Sequence, residues 1–328
     1  MTGTLTLTRH DGLVSVQDAG RRGAMRFGVS QSGPMDHLHF ALACALSGNT
    51  AAIEFGMSGL SLSVRGAVSI AVSGPGFRIA VPGRAPVEAP ARLTLTDETA
   101  EIVAGRSGMW GYLSAAGLSF GEGVLGSNAT NVRTGLGATD LTRPFATAPP
   151  APPLFATGFS FDDTPIGVLP GPQTHLFDAA VRARLEEPFA LTQKLDRMGY
   201  RLKGPTLTAH THDIISDGIV EGAIQVPGNG EPIVLCADRQ PTGGYPKIGV
   251  VARADLPRLT QLRPGATVRF VWIDEGEAAR RRDQARAALE AAIAPRIRTE
   301  FSSEFLADRN LIGGVVSAKP SQSSVHDA

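Results

Sequence analysis

One stretch in the second half of the chain decides the fold class: residues 233–247 read IVLCADRQPTGGYPK. The apolar run Ile233–Ala237 predicts a strand, and the polar residues after it predict a loop at the end of that strand. Polar side chains on a loop that a rigid sheet positions are a usual form of binding site. A purely structural turn would need Gly243 and Gly244 but not the charged residues around them. We therefore interpret this loop as functional, with the candidate residues Asp238, Arg239, Gln240, Thr242, Gly243, Gly244, Tyr245 and Lys247.

Strand signals of the same kind recur along the whole chain. Alternating apolar and polar residues, broken by Gly or Pro at intervals of roughly 8 to 12 residues, are typical of a barrel or a sandwich. They predict strands at 4–8, 60–64, 68–72, 92–96, 110–115, 199–203, 224–226, 233–237, 248–253 and 267–273. Apolar stripes at helical spacing predict a few helices, at 35–46, 176–186, 256–262 and 275–293. The predicted fold class is therefore mainly β with short helices and a C-terminal helix.

The length and a proline-rich segment predict how this β structure is divided. At roughly 150 residues per domain, the 328 residues suggest two domains. Residues 146–153 read ATAPPAPP, a composition typical of a stiff, extended linker. We therefore predict a first domain over 1–145, a linker over 146–164 and a second domain over 165–274. A helical extension follows over 275–328, and we expect its tail to be disordered from about Ser317.

Composition excludes several classes of protein. A formal net charge of zero with no basic stripe is unsuited to nucleic-acid binding. No apolar run is long enough to cross a membrane, and the first residues lack the order of a signal peptide. Cys44 and Cys236 are too far apart to suggest a disulfide framework or a zinc site, so we predict two buried thiols and no metal site. We expect the compartment to be the cytoplasm.

Two further clusters carry candidate binding residues. The segment SGPMD, residues 32–36, opens the predicted helix at 35–46, and the free amides of that helix end would suit a carboxylate or phosphate. The alternative is that Ser32 and Asp36 only cap the helix. In DRMGYR, residues 196–201, we expect Arg197 and Arg201 to share a strand face and to form an anion clamp. Two surface salt bridges are the alternative there.

Taken in order, the motif blocks resemble one family. The blocks are VQDAGRRG (16–23), SQSGPMD (30–36), GVLGSNATNVRTGLG (123–137), LPGPQ (169–173), DRMGYRL (196–202), GAIQVPGNGEPIVLCADRQPTGGYPKIG (222–249) and DLPRLTQLRPG (255–265). They look like the carboxyltransferase-type family that includes allophanate hydrolase subunit 2, the KipA proteins and the C subunit of bacterial 5-oxoprolinase. The resemblance covers about residues 5–273. It implies two cyclophilin-like β-barrel domains with a cleft between them.

The resemblance also implies a function. The first expectation is the C subunit of an ATP-dependent 5-oxoprolinase, which hydrolyses 5-oxoproline to glutamate together with a KipI-like B subunit and a LamB/YcsF-like A subunit. ATP would then be used at the level of the complex, and the substrate would be a small lactam or amide. One alternative is the carboxyltransferase component of a biotin-dependent urea or amide carboxylase, with biotin in the cleft. The other is a KipA-like regulator that binds a kinase inhibitor and performs no chemistry.

The matching motifs imply the site residues. The resemblance gives catalytic roles to Asp238, Arg197, Lys247 and Tyr245. It gives substrate-binding roles to Ser32, Gly33, Asp36, Gln173, Tyr200, Arg201, Gln225, Arg239, Gln240, Thr242, Gly243 and Gly244. Because Arg197, Arg201, Arg239 and Lys247 are among them, we expect a cationic cleft within a neutral chain.

Overall fold

Two six-stranded sheets form the first half of the protein in the computed structural model, which describes residues 3–10, 13–137, 140–141, 143–156, 158–159, 161 and 163–293. Their strands are β1 (Thr4–Arg9), β2 (Val14–Gln17), β3 (Ala52–Phe55), β4 (Leu60–Arg65), β5 (Ala67–Ser73), β6 (Phe77–Ala80), β7 (Val87–Glu88), β8 (Ala91–Thr96), β9 (Thr99–Ala104), β10 (Gly111–Ala115), β11 (Phe145–Ala146) and β12 (Leu154–Phe155). One sheet has the order β11-β1-β4-β9-β6-β7, and the other has the order β12-β8-β5-β10-β3-β2.

The first core lies between these two sheets. Apolar and polar residues alternate along β4, as expected for a strand with one face inward. Alternate residues of β4 are indeed buried. Phe55 of β3 and Phe77 of β6 meet edge to face in this core, with ring centroids 5.2 Å apart.

An eight-stranded sheet dominates the second half. Its strands are β13 (Ile166–Pro170), β14 (Phe189–Leu195), β15 (Gly199–Lys203), β17 (Ala223–Gln225), β18 (Ile233–Leu235), β20 (Lys247–Val251), β21 (Thr267–Val268) and β22 (Phe270–Trp272), in the order β21-β14-β15-β18-β17-β20-β13-β22. The two end strands of this sheet, β21 and β22, are separated along the chain by one residue, Arg269. They must therefore lie close together, so the sheet curls and its two edges meet. A separate ribbon pairs β16 (Asp217–Gly218) with β19 (Thr242–Gly243).

Four α-helices pack around the sheets: α1 (His37–Ser47), α2 (Ala179–Arg184), α3 (Leu256–Thr260) and α4 (Glu275–Ile293). Met35, Trp110 and Tyr112 of the first half belong to the same apolar core as the second-half sheet. The two halves are therefore packed together through buried side chains. No helix among the described residues is long and apolar enough to span a membrane.

The prediction of a mainly β fold with a C-terminal helix is confirmed, although several strands, among them β3, β9 and β14, were not predicted. Two predicted elements differ in their bounds for a physical reason. The helix predicted at 176–186 is shorter, because Phe177 has extended backbone and buries its ring before α2 begins. The strand predicted at 267–273 is divided at Arg269. Both cysteines are buried, as predicted. The expected disordered tail from Ser317 lies outside the described residues.

The proline-rich linker is extended and runs along the first half, to which it is hydrogen-bonded. The Thr147 amide donates to the Gly3 carbonyl at 3.1 Å, and the Ala151 amide donates to Ser69 Oγ at 2.8 Å. The division into two domains remains a prediction, since the chain as far as α4 forms one compact unit.

Candidate functional site

The start of α1 is capped by Asp36. Its Oδ1 accepts hydrogen bonds from the amides of Leu38 at 2.9 Å and of His39 at 3.1 Å. These amides are therefore occupied, which confirms the capping interpretation for Asp36 and makes the expected anion site at this helix end wrong. Ser32 does not cap the helix: its backbone has φ 55°, and its buried hydroxyl has no hydrogen-bond partner in the part of the chain that the structure describes.

The other carboxylate oxygen of Asp36 joins the two halves of the protein. Oδ2 lies 2.6 Å from His39 Nδ1 and accepts from Gln261 Nε2 at 2.7 Å. Burial alone would raise the pKa of Asp36, but His39 and Gln261 lower it to about 2. Asp36 is thus a buried, ionised structural carboxylate, with every oxygen engaged by the protein itself.

Arg197 is the centre of a buried ionic cluster. Its Nε and Nη2 donate to the two oxygens of Asp238 at 2.9 and 3.1 Å, and Nη1 pairs with Glu54. Nη2 also donates to the Gly33 carbonyl of the first half at 2.8 Å. The two carboxylates raise the pKa of Arg197 even though burial opposes that shift, so its charge is permanent.

The expected clamp of Arg197 with Arg201 is therefore wrong. Arg197 is buried against Asp238 and Glu54, whereas Arg201 lies exposed on β15. The reason is local: Asp196 Oδ1 accepts from the amides of Met198 and Gly199 at 2.7 and 3.2 Å. Arg197 consequently lies in a turn before the alternation of β15 begins.

Glu54 is a member of this cluster that the sequence interpretation missed. It lies on β3, and its Oε2 accepts from the Met35 amide at 2.8 Å and from the Tyr112 hydroxyl at 2.9 Å. Burial raises the pKa of Glu54, and the Arg197 charge opposes that shift. The available signal was a lone carboxylate inside an apolar strand, since such residues are seldom fully buried without a partner.

A cleft of about 410 Å³ lies beside the Arg197 turn, and both halves line it. Arg133 comes from the first half, and the polar second-half residues are Gln193, Lys194, Asp196, Arg201, Gln225, Gln240 and Tyr245. Three cations face a single acid in this set, and that acid is Asp196, which is already bonded to two amides. The cleft is therefore cationic and rich in side-chain amides, which suits a small ligand with a carboxylate and an amide group.

Lys247 and Gln173 form a second group close to Gln225. Lys247 is 1% exposed, pairs in register with Gln225, and its Nζ has no hydrogen-bond partner among the described residues. The Asp217 carboxylate lies 3.9 Å from this Nζ and accepts from Gln173 Nε2 at 3.2 Å. Burial lowers the pKa of Lys247, and Asp217 opposes that shift.

The turn that contains Gly243 and Gly244 contacts neighbouring side chains and backbone of the same chain. A Cβ added at Gly243 would come within 2.9 Å of Gln225 Nε2 and 2.7 Å of Ile219 Cδ1, so a larger residue there would have to displace the ends of these two side chains. Thr242 and Gly243 form strand β19, and the Gly244 carbonyl accepts from the Ile214 amide at 2.9 Å.

Two predicted substrate-binding residues lie in the protein interior. The Tyr200 hydroxyl accepts from Trp110 Nε1 and donates to the Thr260 carbonyl, both at 2.8 Å, so it joins the two halves. Arg239 is buried and donates through Nε to the Ile219 carbonyl at 3.1 Å. Burial lowers the pKa of Arg239. Neither residue lines the cleft.

The structure thus sorts the predicted residues into four groups. Arg201, Gln225, Gln240 and Tyr245 line the cleft. Arg197, Asp238 and Gly33 form the bonded cluster behind it, while Gln173, Lys247, Thr242, Gly243 and Gly244 lie on the segments next to Gln225. Ser32, Asp36, Tyr200 and Arg239 are buried elsewhere. No group of three or more metal-ligating side chains occurs among the described residues.

The sequence and the fold match a known domain. The carboxyltransferase domain family, subdomains A and B, matches residues 27–272, and the chain belongs to that family. The chain is 33% identical over 303 residues to the 5-oxoprolinase C subunit of Escherichia coli (strain K12), a match that covers 86% of this chain and 96% of that protein. The corresponding protein of Haemophilus influenzae is 31% identical over 285 residues, covering 82% of this chain and 91% of that protein.

Solved structures agree with the assignment to this family. The structure of TTHA0988 is 28% identical with a TM-score of 0.75, over 82% of this chain and 56% of that chain. The Kluyveromyces lactis urea amidolyase is 25% identical with a TM-score of 0.77, over 88% of this chain and 20% of that chain. This chain therefore spans just over half of the first and about a fifth of the second.

Proposed function

We propose that this chain is the C subunit of an ATP-dependent 5-oxoprolinase that hydrolyses 5-oxoproline to glutamate together with KipI-like and LamB/YcsF-like subunits. The similarity to two proteins named as the C subunits of 5-oxoprolinases supports this proposal. The observation that carries it in the structure is the charge of the cleft. Arg133, Lys194 and Arg201 surround a space whose described lining holds one acid, which is already hydrogen-bonded. A lactam that bears a carboxylate meets this demand.

In this proposal the cations of the cleft orient the substrate. Arg201 and its neighbours bind the carboxylate, and the side-chain amides of Gln225 and Gln240 bond to the lactam amide. Lys247 holds a buried amine next to Gln225 that makes no hydrogen bond within the described residues and lies 3.9 Å from the Asp217 carboxylate, so it has a donor available for an oxygen that enters there. Asp238 is held in place by Arg197 and acts as a fixed charge behind the cleft.

ATP belongs to the complex in this proposal. The glycine turn of this chain packs Gly243 against Gln225 and Ile219 and so does not offer an open phosphate cradle. No step of the ATP reaction is therefore assigned to this chain, and we place nucleotide binding on another subunit.

The test is reconstitution of the complex and measurement of 5-oxoproline-dependent glutamate formation. Removal of a charge-assisted hydrogen bond costs about 1.5–3 kcal/mol, so Arg201→Gln should raise KM by about tenfold or more with little change in kcat. Lys203→Gln is the matched control, because Lys203 lies on the same exposed face of β15 and does not line the cleft. Absence of glutamate formation by the wild-type complex would contradict the proposal.

The urea amidolyase similarity favours a second candidate, which is carboxyl transfer from biotin to a neutral amide. Gln225 and Gln240 would suit the ureido group of biotin, but a neutral substrate leaves three cations in the cleft without a counter-charge. A complex that is free of biotin distinguishes the two candidates. Activity on 5-oxoproline without biotin supports the first, and biotin-dependent carboxylation of urea supports the second.

A further inference from the structure

We propose that Asp217 is a positioning residue of the candidate site, whose carboxylate holds beside Lys247 the place that an oxygen of the substrate takes during the reaction. The identity of that oxygen rests on the proposed function, in which the substrate is a lactam. The place itself rests on the contacts of Lys247, Asp217 and Gln173.

The amine of Lys247 is buried where the surrounding chain does not satisfy it. The residue is 1% exposed, and its Nζ makes no hydrogen bond among the described residues. An ammonium group has three donors, and the loss of its hydration is costly unless other groups replace the water. An anionic oxygen that reached this amine would therefore gain charge-assisted hydrogen bonds that the resting structure lacks.

Asp217 faces this amine without bonding to it. Its Oδ2 lies 3.9 Å from Lys247 Nζ, which is beyond the distance of a hydrogen bond. The same oxygen accepts from Gln173 Nε2 at 3.2 Å, and Oδ1 accepts from the Gly218 amide at 2.7 Å. The carboxylate is thus fixed beside Lys247 by other partners, and an oxygen that came closer to Nζ would bind it better.

The charges around Lys247 single out Asp217. The segment 213–218 carries two acids, and Asp217, not Asp213, forms the ion pair that the described residues give Lys247. Burial lowers the pKa of Lys247, and Asp217 opposes that shift. The hydrogen bonds from Gln173 and Gly218, together with the Lys247 charge, lower the pKa of Asp217. Each member of the pair therefore favours the charged form of the other.

Asp217 lies on a segment that can move without disturbing the main sheet. Both residues of β16, Asp217 and Gly218, are exposed, and they pair with the two residues of β19 in a separate ribbon. The side chain of Asp217 is 50% exposed, and Ile215 is 94% exposed. Segments that bury little apolar surface open at a low cost in free energy. Asp217 can therefore leave Lys247 while the eight-stranded sheet stays folded.

The amine is also next to the cleft. Lys247 on β20 is the cross-strand partner of Gln225 on β17, and Gln225 lines the cleft. Gly243, which pairs with Asp217 in the ribbon, is so close to Gln225 that an added Cβ would lie 2.9 Å from Nε2. The ribbon that carries Asp217 therefore borders the same glutamine. A ligand that extends past Gln225 reaches Lys247 once Asp217 has moved away.

The alternative is that Asp217 is a permanent counter-ion of Lys247. A buried ion pair repays the loss of hydration only when its geometry is good and further hydrogen bonds complete it. The pair of Asp217 and Lys247 meets neither condition, since the distance is 3.9 Å and one member is half exposed. The geometry therefore favours a carboxylate that gives way to a ligand.

The first experiment measures how fast an acetylating reagent modifies Lys247 in the full chain at one fixed pH, by peptide mass spectrometry. The chain has four lysines, and the exposed Lys194 and Lys203 give reference rates in the same sample. Asp217→Ala should raise the rate at Lys247 at least tenfold relative to Lys203, because it removes the carboxylate that faces the amine. Asp213→Ala is the matched control, with a rate within about twofold of wild type.

Formate then tests whether an anionic oxygen occupies the place that the substitution opens. In Asp217→Ala, formate should slow the modification of Lys247 at least threefold compared with chloride at equal ionic strength, because it replaces the missing carboxylate. In Asp217→Asn, formate should have no effect, because the asparagine side chain still fills the place and keeps the bond to Gln173. Equal rates in formate and chloride for Asp217→Ala would overturn the proposal.

The second experiment measures kcat and KM of the reconstituted complex for 5-oxoproline. Asp217→Ala should lower KM at least threefold with kcat within about twofold of wild type, because the substrate no longer has to displace a carboxylate of the protein. Asp213→Ala should leave both constants unchanged. A lower kcat with an unchanged KM in Asp217→Ala would identify Asp217 as a permanent counter-ion and would overturn the proposal.

Failure of the proposed function is a separate outcome. If the wild-type complex forms no glutamate from 5-oxoproline, that function is wrong, while protection of Asp217→Ala by formate would still support a place for an anionic oxygen beside Lys247. If the wild-type complex forms glutamate but formate gives no protection, the function holds and the role of Asp217 is overturned. Equal thermal unfolding midpoints for the variants and the wild type would show that the substitutions leave the fold intact.

Discussion

Lys247 combines deep burial with an unsatisfied amine, and this makes its role testable at the scale of one residue. A buried ammonium that makes no hydrogen bond within the described part of the chain lowers stability, because the Asp217 carboxylate at 3.9 Å does not replace the hydration that it loses. We expect Lys247→Met to leave the free energy of unfolding unchanged or to raise it by about 1 kcal/mol, while reducing kcat at least tenfold. Urea unfolding and glutamate formation by the reconstituted complex are the two measurements.

Lys203→Met is the control for this prediction, since Lys203 is exposed on β15 and should change neither quantity. A loss of several kcal/mol in Lys247→Met would contradict the expectation. It would show that Lys247 serves as a structural cation for Asp217, 3.9 Å away, and that its burial is compensated.

The single residues also show where sequence interpretation succeeds and where it stops. Motif density selected Gln225, Gln240 and Tyr245, which the fold brings together at one cleft, and their role there stays a prediction. It could not tell which arginine of DRMGYR faces solvent, because the Asp196 turn shifts Arg197 out of the alternation of β15. Glu54 was missed because its partner Arg197 is distant in sequence, and only the fold brings the two together.

At the scale of elements, α4 agrees best with the prediction, since its predicted bounds, 275–293, are the observed bounds. Its acidic first turn suits the positive end of the helix dipole, and Arg281 then reaches the rest of the fold. Arg281 Nη1 donates to Asp255 Oδ2 at 2.6 Å, and Asp255 is a buried carboxylate that also accepts from the Gly167 amide at 2.7 Å. α4 is therefore held against β13 through one buried acid.

This arrangement predicts different effects for two adjacent arginines. Arg281→Ala leaves the buried Asp255 with one partner fewer and should lower the free energy of unfolding by about 1–2 kcal/mol. Arg282→Ala should change it by less than about 0.5 kcal/mol, because Arg282 is exposed and bonds only its neighbour Asp283. Thermal or urea unfolding of the two variants provides the comparison. Equal effects would show that the buried carboxylate is satisfied without α4.

The bounds of a strand were harder to predict where they depend on how the sheet closes. Residues 267–273 have the pattern of one strand, yet β21 pairs with β14 and β22 pairs with β13, at opposite ends of the same sheet. The break at Arg269 follows from the closing of the sheet, which local periodicity does not record.

At the scale of the whole molecule, the sequence predicts two domains, but a polar contact buried between the halves joins them closely. Gln261 Oε1 accepts from the amides of Met109 and Trp110 at 2.7 and 2.9 Å. Its Nε2 donates to Asp36 and to the Trp110 carbonyl at 2.7 and 3.0 Å. One second-half side chain thus satisfies four buried first-half groups, and Tyr200 adds another bond between the halves through Trp110.

Because the second core also contains first-half residues, neither half can lose its packing without exposing part of the other. We therefore expect residues 1–293 to unfold in a single cooperative transition, with equal calorimetric and van't Hoff enthalpies. Gln261→Leu should lower the free energy of unfolding by about 2–4 kcal/mol, because it leaves two buried amides and a carboxylate oxygen without this partner. The exposed Gln193→Leu should have a small effect. A single transition that moves to lower temperature in Gln261→Leu is the expected result, whereas two resolved transitions in the wild type would show that each half is stable without the other.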